Sequence, residues 1–263
     1  MTNFTIKSYP KSRLATFDVG RLGAKKHHIA GLLEIDVTLA RKKISEGIKT
    51  GAKISFTSWF LKVVAETIAE DKTVHAVNRR KNTQILFDEV DVSLPLEKVV
   101  DGVRVPLVTV IRNVNNKSVQ EIYSDIKEAK NKDVQFEKDY VLEKRKGNKL
   151  NKLFFNLPQW LRLIVWKILM KNPSIMKKNM GTVIVTGIGI TGNASGWILP
   201  RSIHNLCFGI GAINKKPWVY KNKIEIREIL HLTVLFDHDV IDGAPAAKFT
   251  SKLKSKLEDA AYI

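Results

Sequence analysis

The chain has 263 residues, 44% of them hydrophobic, and carries a formal charge of +18 from 44 basic and 26 acidic residues. That length supports one large or two small domains with a real core, and the scattered 15 glycines and 8 prolines argue against a fibrous repeat or a disordered chain. The charge favours an anionic partner such as nucleic acid, a membrane surface or a phosphorylated small molecule; no recognition helix, zinc-finger spacing or ribonucleoprotein motif accompanies it, so nucleic acid is not expected.

The N-terminus, Met1-Thr2-Asn3-Phe4-Thr5-Ile6-Lys7, lacks the apolar run of a signal peptide. No stretch approaches the roughly 18 apolar residues of a membrane span, and the reading is a cytoplasmic protein. His27 and His28 invite a metal, but no third ligand accompanies them, and none is expected. Phe56, Trp59, Phe60, Val63, Val64 and Ile68 fall on one face of a predicted helix. His75 reads as structural or surface. Ser118 to Glu121 has the form of a capping box, continued by Ile122, Tyr123 and Ile126 on one helical face.

Residues 131–180 stand apart, with 12 basic and 4 acidic side chains. Glu143 to Lys149 reads as an exposed loop, and Trp160 to Met170 as an apolar helix. Branched residues predict strands at Thr182–Thr186, Leu206–Ile213 and His231–Phe236. Between the first two, Gly187 to Gly192 imitates a dinucleotide turn without the following helix or acidic residue, and reads as a loop. Like His75, His204 reads as structural or surface. Cys207, the single cysteine, sits in an apolar run; it excludes an internal disulfide framework and reads as core filler rather than nucleophile. Pro245 marks the start of a last helix with Ala246, Phe249, Leu253 and Leu257 as its apolar stripe. Helices and strands alternate without a βαβ rhythm, which predicts a mixed-sheet α/β fold.

The segment His231 to Gly243 carries the chemistry. A strand ends in Asp237-His238, and a turn through Asp242-Gly243 leads into the last helix. An imidazole titrates near neutrality and suits general-base work when a turn holds its tautomer. On the short pattern alone, a surface turn containing His and Asp explains it equally well.

The longer run Phe236-Asp237-His238-Asp239-Val240-Ile241-Asp242-Gly243-Ala244-Pro245 resembles the C-terminal signature of the acyltransferase components of 2-oxo acid dehydrogenase complexes. It is similar, more distantly, to the chloramphenicol acetyltransferases. Glu34 to Thr38 resembles the family's early strand, Asp101 to Pro106 with Val110-Ile111-Arg112 its central strand, and Gly181 to Gly187 its oxyanion strand. The resemblance implies a single-domain chloramphenicol acetyltransferase-like α/β sandwich over 1–263, assembled as a homotrimer. It implies an acyltransferase using coenzyme A or acyl-CoA as substrate. His238 would be the general base, Thr186 the oxyanion donor, and Asp242 with Gly243 the structural turn. Lys26 or Arg21 would pair with Asp242, and the site would form between subunits.

Two departures accompany the resemblance. Arginine usually follows the histidine in the family, whereas Asp239 stands here; a carboxylate there would favour the charged imidazole, so a catalytically silent trimeric scaffold is the alternative. The match begins near residue 20, so no lipoyl or subunit-binding domain is expected on this chain, and an external acyl carrier protein would serve. For the Trp160–Lys171 helix three roles stay open: a core or trimer contact, a wall for longer acyl chains, or a peripheral membrane contact.

Overall fold

The branched runs pair across long separations into one six-stranded sheet. In a computed structural model the described residues are 4–6, 12–79, 82–100, 103–131, 154, 156–187 and 195–263. The basic loop at 143–149, Asp101, Gly102 and residues 188–192 of the glycine run therefore lie outside the described residues. The helices are α1 Ser12–Gly23, α2 Thr38–Lys49, α3 Phe56–Glu70, α4 Val119–Asn131, α5 Gln159–Met170, α6 Pro173–Met180 and α7 Gly243–Glu258. The strands are β1 His28–Asp36, β2 Val77–Arg79, β3 Thr83–Ile85, β4 Val92–Val100, β5 Val103–Ile111, β6 Val183–Gly187, β7 Leu206–Tyr220 and β8 Lys223–Asp237.

The large sheet has the order β1-β8-β7-β6-β4-β5, and β2 and β3 form a separate hairpin. Strand β6 runs parallel to both its neighbours, and the other pairs are antiparallel. The sheet is mixed, as the unrhythmic element order predicts. Three expectations need correction. Strands β7 and β8 are each 15 residues long, well beyond the runs the branched residues marked. They continue because Lys221 and Asn222, both at positive φ, close a two-residue hairpin turn. The stretch containing Val110 and Ile111 lies in β5, which is an edge strand rather than a central one. Glu34 to Asp36 ends β1, but Thr38 already opens α2.

Helix α3 forms the centre of the core. Ser55 caps it reciprocally with Ser58, and Trp59, Phe60, Leu61, Val63, Val64 and Ile68 are fully buried. The Phe60 ring meets Phe208 of β7 at 6.4 Å, and Phe208 meets Phe249 of α7 at 6.4 Å. Val183 and Val185 of β6 and Val234 of β8 belong to the same core, so the alternate residues of those strands face away from it. The Ser118–Glu121 capping box forms as predicted.

Helix α5 belongs to a second cluster. Trp166 packs with Leu22 of α1, Met180 and Ile203, joined by Leu163, Leu169 and Met170. Arg162, on the same inward side, is buried and holds the buried Asp18 of α1 at 2.7 and 3.0 Å. The planar fork of arginine suits such a two-point contact.

Two buried histidines stay neutral. His204 donates from Nε2 to the Met180 carbonyl at 2.7 Å, and burial pushes its pKa down to about 4. His75 donates from Nε2 to the Phe87 carbonyl at 3.1 Å, and burial lowers it likewise to about 4. In the unfolded chain both take a proton near the ordinary value of about 6.5. Stability is thus full above that pH and falls as the pH drops from 6.5 towards 4, by on the order of 3 kcal/mol per histidine. Urea unfolding between pH 7.5 and 4.5 should show this decline, and a flat profile would contradict it.

Candidate active site

The turn after β8 is held from three sides. The carbonyl of Asp237 accepts from the amides of Val240 and Ile241 at 2.9 and 3.2 Å, and the buried Ile241 pins the turn to the core. The amide of His238 donates to the His27 carbonyl at 2.9 Å, tying the turn to the α1–β1 corner. From the small hairpin, Asn78 donates to the Asp239 carbonyl at 2.6 Å and Gln84 to the Val240 carbonyl at 2.9 Å. The backbone is fixed while the His238 side chain stays exposed. Hydrogen bonds to main-chain groups thus present an accessible imidazole on a rigid support.

Asp239 makes its hydrogen bond to His27 and not to His238. Its carboxylate meets His27 Nδ1 at 2.9 Å. The hydrogen bond and the charge of Asp239 raise the His27 pKa above its usual value, and His27 in return holds Asp239 below the ordinary carboxylate range. The residue that departs from the family signature thus has a partner of its own.

The partner of Lys26 is the second finding that the sequence reading missed. The Lys26 ammonium sits 2.6 Å from Asp237 Oδ2 and 2.5 Å from Asn205 Oδ1, and Asn205 donates onward to the Ala76 carbonyl at 2.6 Å. Asp237 is 1% exposed. Lys26 therefore answers Asp237 rather than the expected Asp242. Asp242 is exposed at the start of α7 and makes no side-chain capping bond there; Arg21 is exposed on the last turn of α1. Gly243 opens α7 with no left-handed φ and no neighbour within 4 Å of an added Cβ. Neither constraint demands glycine within one chain.

Thr186 stands on β6, half-buried, on the side of the sheet opposite the helical core. Two positions fix that strand. Gly181, at φ 69°, lies so close to the Asp91 carbonyl that a Cβ would come within 2.6 Å of it, and the Thr182 amide donates to the same carbonyl at 2.7 Å. Thr186 pairs with Gly209, and Gly209 with Thr233. His238 lies five residues beyond Thr233, so two strand spacings and five residue rises put the two roughly 20 Å apart within one chain. The structure does not bring Thr186 and His238 together in a single copy.

Other candidates divide cleanly. Burial pushes the Cys207 thiol up to about 12, which suits packing and not nucleophilic attack. His28 donates to the His204 carbonyl at 2.9 Å, so it and His27 serve different partners. Among the described residues no group of three His, Cys, Asp or Glu side chains is placed to hold a metal. An open groove of about 470 Å³ runs between β1 and α7, lined by Ile29, Gly31, Phe236 and Gly243 among others, but not by His238 or Thr186.

The family model of the 2-oxoacid dehydrogenases acyltransferase (catalytic domain) matches residues 27–136 and 173–263. The chain belongs to this family. The internal unmatched stretch, 137–172, lies within the basic segment at 131–180. The dihydrolipoyllysine-residue succinyltransferase component of the mitochondrial 2-oxoglutarate dehydrogenase complex of Bos taurus is 26% identical over 221 residues, covering 84% of this chain and 40% of that protein. The chain thus spans about two fifths of that relative's length. A dihydrolipoamide acetyltransferase of Azotobacter vinelandii, solved to examine the role of a serine, a histidine and an asparagine in its mechanism, superposes with a TM-score of 0.67 at 20% identity. It covers 97% of this chain and 92% of that one. A chloramphenicol acetyltransferase superposes at 0.50 with 13% identity, over 98% and 97% of the two chains. The chloramphenicol acetyltransferase-like fold expected from the signature is the fold observed.

In this member of the family, replacing Lys26 removes the cation facing a buried carboxylate. Lys26→Met should lower stability by about 2–4 kcal/mol, at the lower end because the lysine is partly exposed. Lys26→Arg should recover much of the loss. An unchanged denaturation midpoint in Lys26→Met would show that Asp237 is answered by something else.

Proposed function

We propose that this chain moves an acyl group between a dihydrolipoyl carrier and coenzyme A, with either acyl-CoA or an acylated carrier as donor. His238 is the general base: its imidazole takes the thiol proton, the thiolate attacks the acyl carbonyl, and the carbonyl oxygen becomes an oxyanion. The Thr186 hydroxyl donates a hydrogen bond to that oxyanion as charge develops on it. Collapse of the tetrahedral species expels the other thiolate, which recovers the proton from His238. Asp242 acts at the rim of the same turn.

A matched spacing carries this reading. In the Azotobacter vinelandii acetyltransferase the serine stands 52 positions before the histidine and the asparagine four after it. Thr186 and Asp242 stand at those same separations from His238, with a hydroxyl again at the first position. The separation of Thr186 from His238 within one copy then requires the site to be shared, with His238 from one protomer and Thr186 from the next. A homotrimer is the assembly we assign to it. The β7–β8 ribbon favours such packing: beyond the reach of β1 it exposes Val219, Ile224 and Ile226. The Asp239 carboxylate is bonded to His27 rather than to the His238 imidazole, which favours the enzyme over the silent scaffold.

With dihydrolipoamide and acetyl- or succinyl-CoA as substrates, His238→Ala should lose at least about a hundredfold in turnover while keeping its fold. Thr186→Val should lower kcat by about a hundredfold with little change in KM, because the hydroxyl acts in the transition state. A folded wild-type chain inactive on all these substrates would support the scaffold instead. Coenzyme A affinity should fall as salt rises, since its phosphates meet lysines and arginines; salt-independent binding would assign the chain's charge elsewhere.

A further inference from the structure

Helix α5 has two apolar faces, and the described residues pack on only one of them. The inner face is spent on α1, Met180 and Ile203, with Arg162 locked to Asp18. On the outer face Trp160, Ile164 and Ile168 form a row at four-residue spacing, 62%, 46% and 63% exposed. Lys167 and Lys171 are exposed in the same sector, so their ammonium groups flank that row. The half-buried Leu161 and Val165 widen it on the other side.

The sequence that contains this helix carries charge of one sign over a long stretch. From Lys144 to Ile224 the sequence has 15 lysines and arginines and not one aspartate or glutamate. Among the described residues, the carboxylates of α1 and of the segment facing α6 are engaged: the buried Asp18 by Arg162, and Glu89 by Lys177. An occupant of this face therefore brings its own negative charge and accepts a line of apolar side chains. A two-fold contact with a second copy fits poorly, because it would set Lys167 and Lys171 against their own counterparts, and the three-fold contact proposed above is drawn to the β7–β8 ribbon. A folded acidic partner is disfavoured by area. Twelve helical residues span about 18 Å, and a stripe about 10 Å wide falls far short of the ~800 Å² per side of a stable interface.

We propose that α5 docks on an anionic lipid surface. Lying flat at the headgroup level, Trp160, Ile164 and Ile168 dip into the acyl boundary while Lys167 and Lys171 reach back to the phosphates. Membrane spanning is not involved, since no described helix is long and apolar enough to cross a bilayer. The anchoring of α5 by Trp166 and the Arg162–Asp18 pair keeps the helix preformed, so docking costs no folding.

The test is flotation of the full chain with phosphatidylcholine vesicles, with and without about 30% phosphatidylglycerol. Wild type should float with the anionic vesicles and not with the neutral ones. Ile164→Ser with Ile168→Ser should weaken that partition at least about tenfold at an unchanged melting temperature, since both positions are exposed. Lys167→Gln with Lys171→Gln should weaken it too and flatten its salt dependence. No flotation of wild type overturns the proposal. So does equal flotation of the Ile pair variant, which would mean that net charge alone adsorbs the chain. A smaller assembly for that variant in light scattering would also overturn it, by showing the face to be covered by another copy.

Discussion

A carboxylate removed from water needs its charge answered on the spot, and in this fold that demand falls on Asp237. Lys26 meets it from the α1–β1 corner, and Asn205, just before β7, holds the Lys26 ammonium through its Oδ1. The Asp237 amide donates in turn to the Asn205 carbonyl at 2.8 Å, so β8 is fastened at its last residue on both flanks. Everything beyond that residue inherits the constraint. The turn, the exposed imidazole of His238 and the entry into α7 all start from a point that neither slides nor twists. An isolated buried charge would be expensive; paired with an ammonium and hydrogen-bonded on its other groups, it becomes a fixed reference for the site.

The sheet distributes the proposed machinery in two places. Its helical face is filled by Phe60, Phe208, Phe249 and the valines of β6 and β8, which leaves the opposite side for function. Thr186 looks out from that opposite side near the middle of the sheet, while His238 stands at the end of a strand two places over. A fold that keeps the proposed base and oxyanion donor apart within one chain would make assembly a condition of chemistry. Activity should then track the assembled state rather than the folded monomer. Rigidity supports that arrangement, because a shared site is only as well aligned as the two surfaces that carry its halves.

Legibility of the sequence followed the range of the interactions. Local signals were read with fidelity: the apolar periodicity of α3, the Ser118 box ahead of α4, the stripe of α7 and the branched core of β6 all appear where the pattern put them. Strand length was underestimated in β7 and β8, because the hairpin turn at Lys221-Asn222 keeps polar residues paired well past the apolar core. His238 and Thr186 are proposed site residues through the resemblance, not from spacing alone. The partner of Lys26 was not legible at all. Asp237 and Asp242 are both carboxylates in the same short segment, and only burial chooses between them: the first is 1% exposed, and the second is exposed. The Arg162–Asp18 pair left a trace, since Arg162 lies on the side of its helix away from Lys167 and Lys171, but a helical wheel does not say what an inward arginine meets. His27 and Asp239 likewise meet through long-range pairing, where β1 lies against β8 and the His238 amide bonds the His27 carbonyl.

The central claim is a site completed by two copies of the chain, and subunit exchange tests it most directly. His238→Ala chains retain Thr186, and Thr186→Val chains retain His238. Purified separately, each assembly should be nearly inactive. After unfolding and refolding together in equal amounts, random assembly places an intact His238 against an intact Thr186 in about a quarter of the sites of a cyclic oligomer. The account predicts turnover near that fraction of wild type once mass analysis of tagged chains has shown that exchange took place. Mixed assemblies that stay as inactive as their parents would contradict it.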